Sequence, residues 1–75
     1  MGHWIIRSYE KGRYNYIVYD FETKEITIAL SENFATVFTT DFKNKGLSKE
    51  IFKKAEDMEL QGLEWKKVQL GLICP

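Results

Sequence analysis

Two runs of β-forming side chains, WIIRSY at 4–9 and YNYIVYDF at 14–21, stand almost back to back with a Lys11-Gly12-Arg13 turn signal between them. In the first run Trp4, Ile6 and Ser8 alternate with Ile5, Arg7 and Tyr9, the period of two that sends successive side chains to opposite faces of a strand. In the second, Tyr14, Tyr16 and Val18 share one face, while Ile17, Tyr19 and Phe21 share the other. Both of its faces are apolar or aromatic, so this strand is expected in the interior of a sheet. Two strands joined by a short glycine-containing turn form an antiparallel pair, and the rest of the chain must pack around that hairpin.

A third strand is read at Glu25 to Leu30, with Ile26, Ile28 and Leu30 on one side and Thr27 and Ala29 on the other. Between Phe34 and Phe42 the pattern is double-edged. Phe34, Phe38 and Phe42 recur every four residues, as on a helix, yet they also share one face of a strand. The β-branched Thr36, Val37, Thr39 and Thr40 favour the strand. A helix is predicted over about 49–61: Ser48 supplies an N-cap and Leu47 can staple onto Phe52. Ile51, Phe52, Ala55 and Met58 make its apolar face, and Lys49, Lys53, Glu56 and Asp57 point outward. Gly62 suits the left-handed residue that ends such a helix, with Leu63 closing onto Met58. Trp65 to Leu72 reads as a last strand carrying Val68, Leu70 and Leu72 on one side. The expected fold is α+β, a single domain over 1–75: a small antiparallel sheet of three to four strands, one helix packed on one face, and a C-terminal strand.

Composition narrows the function classes. In 75 residues, 44% apolar and 15% aromatic, there is enough apolar surface to offset the entropy of ordering a chain near the lower size limit for independent folding. There is no apolar run of the roughly 18 residues that a membrane span needs, and the start lacks a signal-peptide pattern. The one cysteine, Cys74, rules out an intrachain disulfide and a cysteine-based metal site, so a reducing, cytoplasmic setting is expected. Formal charge is zero but uneven. Residues 1–42 carry four basic and six acidic groups, net −2, and residues 43–75 carry seven and five, net +2. A neutral chain weighs against nucleic-acid binding, which draws affinity from a basic surface.

One stretch invites a catalytic reading. Tyr16-Ile17-Val18-Tyr19-Asp20-Phe21-Glu22-Thr23 resembles the first motif of the DEDD-type 3′–5′ exonucleases, in which an apolar strand delivers an Asp-x-Glu-Thr to two divalent metals. The resemblance implies Asp20 and Glu22 as metal ligands. It spans under a dozen residues, and no later segment matches the family's remaining carboxylate motifs. The same residues read as a hairpin turn, since polar Glu22-Thr23-Lys24 falls between two strands, and the turn is the reading adopted. His3, the one histidine, has no nearby acidic or cysteine partner in sequence and is read as a surface residue at a frayed terminus. Serines 8, 31 and 48 lack a base partner, and the glycines have no phosphate-cradling spacing. No catalytic residue, cofactor or metal is therefore assigned, and the chain is not read as an enzyme.

What exceeds the needs of a fold is the aromatic density of the opening hairpin. One helix covers one face of a small sheet, so rings should remain on the other. Trp4, Arg7, Tyr9, Arg13, Tyr14, Tyr16 and Tyr19 are the candidate interaction face, of the residue types that anchor protein interfaces. Lys43, Lys45, Lys49, Lys53 and Lys54 read as a solvated face around the helix start. The apolar tail Leu70 to Pro75 is expected to tie into a sheet edge or a second subunit. These features suggest a small cytoplasmic binding protein of the regulator, adaptor or inhibitor type, acting by protein–protein contact, self-associating, and fitting a phage or mobile-element source. The alternative is a single-stranded nucleic-acid binder, similar in its strands-then-helix order to the dimeric transcriptional-coactivator fold. Third comes a metal-dependent nuclease using Asp20 and Glu22.

Overall fold

The computed structural model describes residues 2–44 and 46–69. Strands β1 (His3–Glu10) and β2 (Arg13–Tyr19) form the expected hairpin, with Arg7 opposite Tyr16, Tyr9 opposite Tyr14 and Glu10 opposite Arg13. The two linking residues both take positive φ, 50° at Lys11 and 83° at Gly12. That is the type I′ turn whose twist matches the strands it joins. Strand β3 (Ile26–Ala29) adds antiparallel to β2, with Ile17 opposite Ile28. Strand β5 (Glu64–Val68) runs along the other edge of β1, pairing Arg7 with Glu64 and His3 with Val68. The domain is α+β, as expected, with β1 paired along both edges.

The pairing of β1 with β2 stops at Arg7 and Tyr16. Continued by one step, it would join Ile6 to Ile17. Instead the Ile17 carbonyl accepts the Thr36 N–H at 3.1 Å, and the Thr36 hydroxyl accepts the Tyr19 N–H at 2.7 Å. The segment after Thr36 then lies against the first residues of β1 as the two-residue strand β4 (Phe38–Thr39), Trp4 opposite Phe38. The sheet is thus split between β1 and β2, and residues 36–39 fill the opening. It curls as a result, and both flanking isoleucines, Ile6 and Ile17, become fully buried.

Residues 34–42 are therefore not the continuous strand expected. Glu32–Phe34 forms a single 3₁₀ turn capped by Ser31, strand pairing is confined to Phe38–Thr39, and Thr40–Lys43 is a short helix, α1, whose N-cap Thr39 accepts the Phe42 N–H at 3.2 Å. The fourfold spacing brings Phe38 and Phe42 together, stacked at 4.9 Å, while Phe34 points to solvent, 71% exposed.

Helix α2 (Leu47–Asp57) lays Ile51 and Ala55 onto Ile6, Ile17 and Phe38 to make the core. Its ends differ from the expected 49–61. Ser48 sits inside the first turn, where its hydroxyl donates to the Lys43 carbonyl at 3.0 Å, and Gly46 holds the cap position without a side-chain bond. At the C-terminus the left-handed residue is Glu59, φ 64°, with Glu59 N–H to Glu56 C=O at 2.8 Å and Leu60 N–H to Ala55 C=O at 3.2 Å. This is a Schellman closure, and it is Leu60 that returns to the core. Met58 is left exposed, and Gly62 does other work. At φ 62° it carries the chain past β1, where Gln61 C=O accepts the Tyr9 N–H and a Cβ on Gly62 would lie 2.8 Å from the Tyr9 carbonyl. The Leu47 side chain of the expected staple, Lys45 and the tail Leu70–Pro75 lie outside the described residues.

The sheet face away from α2 is not wholly open either. Ile5 points to it and is 1% exposed, because the connection from β3 to β4 crosses beneath it with Ala35 and Val37, and Lys66 pairs with Glu32 at 2.7 Å. Among the described residues, only the hairpin half of that face remains uncovered.

Two substitutions test this architecture. Thr36→Val keeps the shape but leaves the Tyr19 N–H without its acceptor, and should lower unfolding free energy by about 1–3 kcal/mol in a urea titration. Ser8 is fully buried with no hydrogen-bond partner for its hydroxyl among the described residues. Ser8→Ala should consequently leave the urea midpoint unchanged or raise it, because a buried unpaired hydroxyl carries a desolvation cost that alanine lacks.

Candidate interaction surface

Residues paired directly across antiparallel strands share a face, so the register assigns each expected site residue. Glu64, Arg7, Tyr16 and Ala29 form one row running from β5 through β1 and β2 to β3, and Tyr9 with Tyr14 forms the next row toward the turn. These lie on the uncovered half of the sheet. Tyr9 and Tyr14 are 50% and 37% exposed, their rings 4.9 Å apart, and Tyr16 follows at 6.3 Å from Tyr14.

Arg7 organises the row. Its Nε donates to Glu64 Oε2 at 2.6 Å and its guanidinium lies over the Tyr14 ring at 4.1 Å. Burial acts to lower its pKa, but the hydrogen bond and charge of Glu64, helped by Tyr14 and Tyr16, outweigh this and raise it above the ordinary arginine value. Arg7 is thus a permanent cation already matched by a carboxylate. The surface it supports is aromatic and close to neutral.

Trp4 and Tyr19 project to the opposite, helix-bearing face. Trp4 donates from Nε1 to Thr40 Oγ1 at 3.0 Å, and Tyr19 packs on the core with Phe21 edge-on at 4.9 Å. Arg13 alternates out of the tyrosine face as well, and reaches its margin only at a recess shared with Tyr14 and Leu30. Of the seven candidate residues the fold unites Arg7, Tyr9, Tyr14 and Tyr16. The other aromatics build a separate cluster in which Phe38 meets Phe21, Phe42 and Trp65 at 5.9, 4.9 and 5.7 Å. Sequence reasoning missed Glu64, which is 57 positions from Arg7 and has no local signal tying it there.

The Asp20 region is a turn. Asp20 Oδ1 accepts the N–H groups of Glu22 at 2.8 Å and Thr23 at 3.3 Å, Lys24 takes φ 62°, and Asp20 N–H bonds to Glu25 C=O to extend the β2–β3 ladder. Among the described residues no three of His, Cys, Asp and Glu cluster closely enough to hold a metal ion. His3 is not frayed, being half-buried in β1 between Thr39 and Val68. Nor are the lysines uniformly solvated: Lys43 lies over the Trp4 and Trp65 rings at 4.7 and 5.8 Å, and Lys54 donates to the Lys24 carbonyl. Among the described residues no helix is long and apolar enough to cross a membrane.

No protein-family model matches the chain, and neither a curated protein nor a solved structure is similar enough to be matched to it.

The turn role of Asp20 predicts a graded response. Asp20→Ala removes the acceptor for two N–H groups and should cost about 1 kcal/mol in thermal unfolding, whereas Asp20→Asn keeps an acceptor oxygen and should cost less. With magnesium or manganese, calorimetry should give only heat of dilution for parent and variants alike.

Proposed function

We propose that this is a small cytoplasmic binding protein, of the regulator, adaptor or inhibitor type, that works by protein–protein contact through the open half of its sheet and self-associates through the same face. The observation that carries this reading is the row of exposed Tyr9 and Tyr14 with half-buried Tyr16, braced by the Arg7–Glu64 pair. Tyrosine offers a large amphipathic contact area at low entropic cost, and a guanidinium stacked and ion-paired in advance loses little freedom on binding. Leu30, 74% exposed, continues the apolar surface at the recess beside Tyr14 and Arg13. Because Glu64 already neutralises Arg7, the surface offers little net positive charge to a phosphate backbone, which favours a protein partner over a single strand.

Sedimentation should give a mass above that of one chain, with little dependence on salt. Tyr14→Ala should weaken the association by about 2 kcal/mol, roughly thirtyfold, if Tyr14 is a central anchor. A monomer that binds single strands tightly, with affinity falling steeply as salt rises, would replace this reading with the nucleic-acid one.

A further inference from the structure

On the opposite side of the domain, a groove of about 380 Å³ runs between α2 and β5. Phe52 and Trp65, in contact with ring centroids 5.6 Å apart, form its apolar floor, and its lining includes Ser48, Lys49, Lys53 and Glu56. Lys49, Lys53 and Glu56 lie one helical turn apart along the rim, and beside the groove Lys43 of α1 stands over the Trp4 and Trp65 rings at 4.7 and 5.8 Å. Lys67, two residues from Trp65 on the same face of β5, adds a cation on the Trp4 side. Glu56 is the one carboxylate among the groove's lining residues. The site joins an apolar floor to a basic border, whereas on the tyrosine surface Arg7 is already matched by Glu64.

We infer that this groove docks an acidic segment of another protein, one that lays an apolar side chain along the joined Phe52–Trp65 surface and sets its carboxylates against Lys43, Lys49 and Lys53. Charge complementarity selects the occupant: the lining residues and Lys43 carry three lysines against one glutamate, and the apolar Phe52–Trp65 surface rewards a side chain laid on it. A single nucleic-acid strand fits less well. Stacking a base needs a free aromatic face, and Trp65 is already met by Phe38 edge-on at 5.7 Å, by Phe52 and by Lys43. Glu56 in the wall would also repel phosphate. A second copy docking by its tyrosine face is disfavoured on the same ground, since that near-neutral face carries no matching acidic ridge.

The test uses the full chain and three fluorescent probes: a peptide alternating Asp or Glu with Leu and Phe, the same peptide with Lys in place of the acids, and an oligothymidine strand. Anisotropy should show binding of the acidic peptide alone. The charge reversal Lys49→Glu with Lys53→Glu should weaken it by at least about tenfold. Tyr14→Ala, on the other face, should leave it unchanged. Amide shift mapping on the unsubstituted protein provides a readout independent of how the double variant folds, and its changes should centre on Ser48, Phe52, Lys53 and Trp65. No binding by the acidic peptide, equal binding by the charge-reversed variant, preference for the oligothymidine, or shifts centred on Tyr9 and Tyr14 would each overturn the inference.

Discussion

The split between β1 and β2, filled by Thr36, is the contact on which the rest of the domain depends. A sheet cannot open in its interior without stranding backbone donors and acceptors, and each stranded group away from water costs about as much as a lost hydrogen bond. Here Thr36 meets the demand twice, with its N–H on the Ile17 carbonyl and its hydroxyl on the Tyr19 N–H. With the opening satisfied, Phe38 enters between the strands and reaches the core beside Ile6 and Ile17. Helix α2 then has a concave aromatic surface to sit on, and β5 closes the free edge of β1.

Curling the sheet also sorts the aromatic side chains into two populations with different chemistry. Strict alternation sends Tyr9, Tyr14 and Tyr16 to the outer face, where Arg7 and Glu64 complete a near-neutral row. The other rings join the core side, and Phe52 and Trp65 are left as the floor of a groove bordered by lysines. Charge on the two surfaces follows the fold and not the sequence halves: Glu64, from beyond residue 42, neutralises Arg7 on the tyrosine face, while Lys49 and Lys53 line the groove.

Much of this was legible from neighbouring residues. The turn at Lys11-Gly12 needs two positive φ angles, glycine supplies one without strain, and the runs on either side then have to pair. Face assignments along β1, β2 and β3 followed from alternation. The helix was recognisable by Ile51 and Ala55, but its ends were not. Ser48 is a good cap in isolation, yet here it bonds backward to Lys43, and Glu59 rather than Gly62 takes the left-handed position because Leu60 gains a place in the core. Gly62 was meanwhile claimed by the backbone of Tyr9. The phenylalanines at 34, 38 and 42 satisfied two periodicities, and the choice fell to neither, since a wedge between strands is not a pattern that nearby residues encode.

Local chemistry, then, set the hairpin, the strand faces, the helix core and the turn at Asp20, because each rests on interactions spanning a few residues whose cost and reward are paired in the same stretch. Long-range contacts decided the rest. Arg7 gained Glu64 across 57 positions, Tyr19 gained Thr36 across 17, and Trp65 gained Phe52 and Lys43 only once β5 had docked beside the helix. These pairings set which aromatic surface is neutral and which is basic, and they arise from closing loops around a shared core, where distant residues are selected by geometry and no short stretch of chain records the outcome.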